Sequence, residues 1–201
     1  MAFVGGMPNA EEHGPVLEGE TPTEVTLEGL KVKSGSHLCT VYESERGRLK
    51  LALPFLEQGL SRGELCFLVA PEGSREALLE RLSERVSVQQ ARDEGYLVEA
   101  SGFPTGDEAF RFFEEAFSEA VARGRNAFRL LGDMAWMLDA GLDVEAMNAF
   151  EMRYEHFLAK QYPVVSLCQY DASRFSGVEV LRALKCHSDT FGQPVERFLA
   201  G

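Results

Sequence analysis

Short apolar runs alternate with amphipathic segments along the chain from about residue 35 onward. The runs have the length of buried strands, and we predict five of them at residues 37–42, 65–70, 96–100, 127–131 and 163–170. Between them, apolar side chains recur at helical spacing over residues 46–61, 75–85, 106–123, 143–160 and 177–187. Continuous apolar runs that alternate with helices are typical of a parallel sheet covered on both faces. We therefore predict a three-layer α/β/α domain with a mostly parallel sheet.

The carboxyl ends of the predicted strands hold a small group of polar and aromatic side chains. In open parallel sheets, ligands bind at this edge. The rule selects Tyr42, Glu43, residues 71–74, Gly132, Asp133, Trp136, Tyr170 and Asp171. Because Trp136 lies beside Met134 and Met137, it either forms the wall of an apolar pocket or fills the core.

The first 33 residues lack this pattern. They are rich in Gly, Pro and Glu and poor in large apolar side chains. Such a segment cannot bury enough surface to offset the entropy lost on ordering. We predict a flexible acidic leader over residues 1–33 and one folded domain over residues 34–201.

The net charge narrows the choice of partners. The chain has 20 Lys and Arg against 32 Asp and Glu, which gives a formal net charge of −12 at pH 7. A field of this sign repels nucleic acid and anionic membranes, so neither is expected as a direct partner. The sequence begins without a secretory signal pattern and has no apolar run of membrane-spanning length. We expect a cytoplasmic protein with four free cysteines, since none of them lies in a CxxC pair.

The strand and helix order is similar to the core of RecA-like ATPases, but the nucleotide loop is missing. That loop would lie between Tyr42 and Leu49, where the sequence has no GxxxxGK[ST] motif to hold phosphate. Asp133 and Glu72 follow apolar runs at positions that resemble the Walker B and catalytic acids of those enzymes. We expect a RecA-like skeleton without nucleotide hydrolysis, and a degenerate nucleotide-binding protein is one alternative.

A second pattern involves histidine and cysteine. His37 and Cys39 are two residues apart on one predicted strand and share a face, while Cys168 lies on the last strand and His187 follows the last helix. If the first and last strands are neighbours, these four residues could form a soft metal site. Cys39 and Cys168 could instead serve a metal- or thiol-based redox sensor, or all four could be core side chains. No nucleophile elbow or triad is visible, so we predict no catalytic residues and no enzymatic activity.

Five short motifs occur in order along the chain. They are residues 35–42 (GSHLCTVY), 54–66 (PFLEQGLSRGELC), 129–136 (RLLGDMAW), 150–151 (FE) and 163–171 (PVVSLCQYD), followed by a helix that ends near His187. This ordered set resembles the MEDS family, a DcmR-like sensory domain, over about residues 34–190. Two positions depart from the family pattern, which usually has Tyr in place of Phe150 and often has Pro in place of Ser188.

The resemblance implies a RecA-like fold without a working nucleotide loop and a sensory role in recognising small hydrocarbon-derived molecules. It also implies an output module of the DNA-binding, kinase or anti-sigma type, to which such domains are joined. No output domain is recognisable in the sequence, so we expect the signal to pass to a partner protein. The characteristic family positions correspond to His37, Cys39, Tyr42, Trp136, Glu151, Cys168, Gln169, Tyr170, Asp171 and His187.

The sequence thus predicts a cytoplasmic sensory domain that binds a small, partly apolar ligand and signals through a kinase, a regulator or an anti-sigma type of protein. The predicted ligand-binding residues are His37, Cys39, Tyr42, Trp136, Glu151, Cys168, Tyr170, Asp171 and His187. The aromatic members are expected to form pocket walls, and His37, Glu151 and Asp171 to make polar contacts. The sequence assigns no cofactor, and a homodimer is compatible with it.

Overall fold

A six-stranded sheet forms the centre of the computed structural model, which describes residues 24–27, 29–192 and 199–200. Its strands are β3 (His37–Tyr42), β4 (Leu65–Val69), β5 (Leu97–Ala100), β6 (Phe128–Asp133), β7 (Val164–Asp171) and β8 (Leu199–Ala200). Two further strands, β1 (Glu24–Leu27) and β2 (Leu30–Lys33), form a separate two-stranded sheet. The helices are α1 (Glu45–Ser61), α2 (Glu72–Ser83), α3 (Val88–Asp93), α4 (Gly106–Ala122), α5 (Ala135–Asp139), α6 (Val144–Tyr154) and α7 (Gly177–Cys186). A π-helical turn (Glu155–Ala159) extends α6, and a 3-10 turn (Ser188–Gly192) follows α7.

The sheet has the strand order β5-β4-β6-β7-β3-β8, and its neighbouring strands run parallel. Helices α4, α6 and α7 pack on one face, while α1, α2 and α3 pack on the other. Among the described helices, none combines the length and the apolar character that a membrane span needs. The predicted three-layer α/β architecture with a parallel sheet is confirmed.

The two neighbouring strands β3 and β7 divide their side chains between the two helical layers. Because side chains alternate along a strand, His37 and Cys39 point to the same side of β3. On β7, Cys168 and Tyr170 point to that side as well, and Cys39 pairs with Cys168 in the register. This is the side covered by α4, α6 and α7, so the chemistry-bearing residues lie between the sheet and this helical layer.

Residues 24–33 are part of the folded structure. The strands β1 and β2 form an antiparallel hairpin whose Val25, Leu27 and Val32 side chains are buried in the core on the α1 side. The predicted leader extended to residue 33, so the structured region begins ten residues before the predicted boundary at residue 34. The physical reason is the alternation of apolar and polar residues in this segment, which allows one face of a short hairpin to be buried. Residues 1–23 of the predicted leader lie outside the described residues.

Candidate functional site

Four buried side chains from four parts of the chain meet between the sheet and helix α6. They are His37 on β3, Glu151 on α6, Cys168 on β7 and His187 directly after α7, and we refer to them as the buried cluster. One potential metal-ligating atom from each residue lies within 4.8 Å of those of the other three. Such a meeting of two imidazoles, a carboxyl group and a thiol requires the tertiary fold, because the residues are far apart in sequence.

The local structure explains how each residue reaches the cluster. His37 opens β3 opposite Ser166, so Cys168 lies two residues further along the neighbouring strand and on the same face. Glu151 lies on the face of α6 that also buries Met147 and Tyr154, and this face packs against the sheet. His187 ends α7 and is fully buried.

Three short distances define the centre of the buried cluster. His37 Nε2 lies 3.3 Å from Cys168 Sγ and 3.4 Å from Glu151 Oε2. His187 Nε2 lies 3.6 Å from the same Glu151 oxygen. In the part of the chain that the structure describes, Glu151 Oε2 and His187 Nε2 make no hydrogen bond. Two buried polar atoms are therefore directed at each other without being satisfied, which costs about 1–3 kcal/mol per group.

The outer atoms of the same residues are held by hydrogen bonds. His187 Nδ1 lies 2.7 Å from the carbonyl oxygen of Ala183, and because a carbonyl only accepts, the proton must be on Nδ1. His37 Nδ1 lies 3.2 Å from Glu155 Oε2, a geometry that favours the same tautomer. Tyr170 donates its hydroxyl proton to Glu151 Oε1 at 2.6 Å. In the neutral imidazoles the Nε2 lone pairs then face the centre of the cluster.

Burial governs the protonation of these groups. Desolvation lowers the pKa of His37 well below its ordinary value, and the neighbouring His187 lowers it further. Desolvation also raises the pKa of the Cys168 thiol, with a further contribution from the Glu151 carboxylate. Without a bound ion or ligand, both pKa shifts favour the uncharged imidazole and the uncharged thiol.

Two small cavities border the buried cluster. One has a volume of about 10 Å³ and is apolar. It is lined by His37, Val69, Phe113, Leu130, Gly132, Met134, Trp136, Phe150, Glu151, Tyr154 and Cys168. The other, of about 20 Å³, lies between α6 and α7 and is bordered by Glu151, Tyr170 and Cys186 among others. Glu151 therefore lines both cavities.

The predicted site residues divide into two groups. The structure brings His37, Trp136, Glu151, Cys168, Tyr170 and His187 together around the cluster and its cavities. Tyr42 and Asp171 lie at the far ends of their strands, about 16 Å along β3 from His37 at ~3.3 Å per residue. The Tyr42 hydroxyl donates to the Asp133 carboxylate at 3.3 Å, and Asp171 accepts from the Ser173 amide at 2.8 Å.

Cys39 is close to the buried cluster but outside it. It is buried on the same strand face as His37, and its backbone amide donates to Thr190 Oγ1 at 2.8 Å. Its sulfur is not among the four clustered atoms, and Cys39 borders neither of the two cavities. The predicted metal set consisted of Cys39 with His37, Cys168 and His187, whereas in the structure Glu151 is the fourth member of the cluster.

Glu155 is a site residue that the sequence analysis missed. It lies in the π-helical turn after α6 and contacts His37 Nδ1, while Lys160 binds its other oxygen at 3.2 Å. The helical spacing of Glu151 and Glu155 indicated only that the two carboxylates share a side of one helix. The contact with His37 depends on how α6 crosses the sheet, which no local pattern reveals.

Comparison with known proteins gives a family match whose residue range contains the whole buried cluster. A family model described as "MEDS: MEthanogen/methylotroph, DcmR Sensory domain" matches residues 36–188. A protein of Methylorubrum extorquens (strain DSM 6343 / CIP 106787 / DM4) named "Transcriptional repressor DcmR" is 34% identical over 168 residues. The match covers 83% of this chain and 63% of that protein, so the chain spans somewhat less than two thirds of the relative's length.

Proposed function

The chain belongs to the MEDS family of sensory domains, and from this membership we propose that it binds a small, partly apolar, hydrocarbon-derived molecule beside the buried cluster. The bound state is passed to a protein partner that acts in transcription regulation, the process named for the relative from Methylorubrum extorquens. The role proposed for the chain is recognition and signalling without catalysis.

The observation that carries the proposal is an apolar cavity that adjoins the buried cluster and shares His37, Glu151 and Cys168 with it. Trp136, Phe150 and Tyr154 provide aromatic walls, and Glu151 and His37, two members of the buried cluster, also line the cavity. Small-molecule sites are typically apolar with a few polar groups that fix orientation. A small molecule with one polar atom would donate a hydrogen bond to the Glu151 carboxylate, whose oxygens each accept more than one bond, while its apolar part contacts the rings.

The size of the cavity links binding to a conformational change. At about 10 Å³ it has room for roughly one water molecule, so a larger ligand must displace its walls. Helix α6 supplies Phe150 and Glu151 to these walls, and the chain after α7 supplies His187 to the cluster. A ligand that binds the expanded arrangement more tightly shifts the population toward it.

The outer surfaces of α6 and α7 offer a route for the signal. Val178 and Leu181 on α7, Met152 on α6 and Phe157 in the π-helical turn are more than half exposed. Apolar side chains of this size are common at protein–protein contacts. Movement of the two elements that hold Glu151 and His187 would displace these side chains and change what they present to a partner.

The two alternative functions have less support. The thiolate is the reactive form of cysteine, and burial raises the pKa of both Cys39 and Cys168, which disfavours a thiol-based redox sensor. At the position of the missing nucleotide loop, Ser44 Oγ accepts the Gly47 amide at 3.1 Å, so this amide in the first turn of α1 is not available to a phosphate.

Trp136 provides a direct test, because it is the single tryptophan of the chain and lines the cavity. We expect short alcohols, amines or halogenated hydrocarbons to change its fluorescence in a saturable way. Glu151→Gln should weaken the binding of a responding compound at least about tenfold, as expected for the loss of a charged hydrogen-bonding partner.

Tyr42→Phe serves as the matched control, because it removes a hydroxyl from the strand-end group without touching the cavity. It should leave the fluorescence titration unchanged. If Tyr42→Phe abolishes the response and Glu151→Gln does not, the ligand binds at the carboxyl edge of the sheet and the proposed site is wrong.

A further inference from the structure

We propose that His37, Glu151, Cys168 and His187 bind one divalent transition metal ion, preferentially zinc, in a closed site with four protein ligands. This inference goes beyond the proposed sensory function and does not depend on the identity of any small ligand. It rests on the separations of the ligating atoms, their hydrogen-bonded support, the unsatisfied atoms and the balance of charge.

The separations fit a tetrahedral ion. With zinc–nitrogen and zinc–oxygen bonds near 2.0–2.2 Å and zinc–sulfur bonds near 2.3 Å, neighbouring ligand atoms lie about 3.3–3.6 Å apart. The three short distances in the cluster are 3.3, 3.4 and 3.6 Å. All four atoms lie within 4.8 Å of one another, so the longest separation must shorten by roughly 1 Å on binding.

The hydrogen bonds around the cluster are those that metal ligands ordinarily have. A metal-bound histidine donates its other ring N–H to a carboxylate or a backbone carbonyl. Here the Glu155 carboxylate faces His37 Nδ1, and the Ala183 carbonyl accepts from His187 Nδ1. Tyr170 fixes the carboxyl group of Glu151 by binding one oxygen and leaving the other directed at the centre. Each of these two histidines and Glu151 thus directs the atom that would bind the metal toward the centre of the cluster.

The unsatisfied atoms point to a ligand at this centre. Glu151 and His187 are at most 2% exposed, and Glu151 Oε2 and His187 Nε2 have no hydrogen-bond partner in the described residues. Their mutual separation of 3.6 Å is too long for a good hydrogen bond, so one shared proton does not satisfy both. A cation between them accepts both lone pairs at once.

The charges balance in the metal-bound state. Glu151 contributes one negative charge, Cys168 contributes another when the metal displaces its proton to solvent, and the two histidines remain neutral. A divalent ion brings the buried site to zero net charge, which removes the cost of an unpaired buried carboxylate. A thiolate with two imidazoles favours zinc over magnesium or calcium, which prefer oxygen ligands.

A closed set of four protein ligands is typical of a structural site, since catalytic zinc keeps one position open. The ion would join β3, β7, α6 and the end of α7 at one point. In this role it holds the two helical elements against the sheet, and its loss would loosen the walls of the apolar cavity.

Cobalt titration of the full chain tests the donor set. The protein is expressed without a histidine tag, its metal content is measured by elemental analysis, and Co²⁺ is then added to the metal-free form. We expect elemental analysis to find about one zinc ion per purified chain, as the proposed site requires. The Co²⁺ form should show the intense visible absorption of a tetrahedral ion. It should also show a charge-transfer band from the thiolate to cobalt. Cys168→Ser should abolish the charge-transfer band.

Cys39→Ser is the matched control, because Cys39 is an equally buried thiol on the same face but outside the cluster. It should keep the full cobalt spectrum. Circular dichroism of each metal-free variant checks that it is folded. Loss of the band in Cys39→Ser together with its retention in Cys168→Ser would overturn the proposed ligands.

A second variant keeps the test valid if Cys168→Ser does not fold. Glu155→Gln removes the carboxylate that faces His37 Nδ1 and also pairs with Lys160, while it leaves the four proposed ligands in place. It should weaken Co²⁺ affinity about 10- to 100-fold, as losses of supporting hydrogen bonds to ligands do. Glu145→Gln, an exposed change on the same helix, should have no effect. Substoichiometric zinc together with a six-coordinate cobalt spectrum would refute the metal site. The fluorescence titration of Trp136 would then still test the sensory proposal on its own.

Discussion

Gly59 shows how the space at one residue fixes the approach of a helix to the sheet. It lies in the last turn of α1, where an added Cβ would be 2.6 Å from Cys66 Sγ and 2.7 Å from Arg129 Cδ. The Arg129 side chain is fully buried, donates to the Glu64 carboxylate and also donates to the Phe55 carbonyl at 2.8 Å. Because Arg129 is held at both ends, it cannot easily make room for a larger residue.

We expect Gly59→Ala to lower the free energy of unfolding by about 1–3 kcal/mol, as overpacking does. Helix propensity alone predicts the opposite sign, since alanine is favoured over glycine by about 1 kcal/mol in a helix interior. Urea denaturation measures the change. Gly73→Ala in α2 is the control, because an added Cβ there meets no atom within 4 Å and should be neutral or stabilising. Equal stabilisation by both variants would contradict the packing argument.

At the residue scale, all four clustered side chains were among the predicted ligand-binding residues, but their exact combination was not predicted. The two-residue period of strands correctly placed His37 and Cys39 on one face. It could not distinguish which of the two reaches helix α6, because that depends on where the helix crosses the strand. Glu151 was selected as a ligand-binding residue, and its proximity to His187 could not be predicted, since α6 and α7 meet only in the tertiary structure.

Helix α7 illustrates how a terminus can control a distant residue. Ser176 Oγ accepts the Glu179 amide at 3.3 Å, and Glu179 in turn accepts the Ser176 amide at 2.6 Å, which forms a capping box. The helix that starts there ends beside His187. The cap therefore stabilises the element that presents one imidazole to the buried cluster.

We expect Ser176→Ala to reduce the free energy of unfolding by about 1 kcal/mol, because an amide of the first turn loses its acceptor. Hydrogen exchange should quicken in α7 more than in α4, which has its own cap from Thr105. Ser176→Asp retains an acceptor and should restore most of the stability. Exchange that accelerates uniformly over both helices would show that the cap acts on the whole fold instead.

At the element scale, long periodic segments were predicted well and short ones were not. The predicted helices over 46–61, 106–123 and 177–187 agree within one residue at each end with α1, α4 and α7. Helices α3 and α5 were missed, since five or six residues give too little periodicity. The predicted helix over 143–160 ends in a π-helical turn instead, whose wider hydrogen-bonding pattern has no simple sequence signal.

On the scale of the whole molecule, the hairpin of β1 and β2 enlarges the core on the α1 side. Leu27 and Val32 are completely buried there with side chains from α1 and α2. The segment looked like a leader because its composition is polar and its strands are only four residues long. Composition reports the average character of a segment, whereas burial depends on which face each apolar residue occupies.

We expect Leu27→Ala to destabilise the protein by about 2–5 kcal/mol, the usual cost of a cavity in a packed core. Leu181→Ala, the same change at a side chain that is 65% exposed, should remain within about 0.5 kcal/mol of the unsubstituted protein. Thermal or urea unfolding measures both. Similar small effects from the two variants would mean that the hairpin contributes little to the stability of the domain.

The pairing of β3 with β7 has a consequence for synthesis of the chain. His37 and Cys168 are 131 residues apart, so at the usual 5–20 residues per second β3 leaves the ribosome roughly 7–26 s before its neighbour exists. β3 lacks this neighbour throughout that interval, and β6 lacks it from its own emergence until β7 follows. A nascent chain that stops before β7 can neither close the sheet nor assemble the four clustered side chains. The unpaired backbone edges and the apolar side chains beside them are therefore natural binding sites for chaperones until the last long strand has emerged.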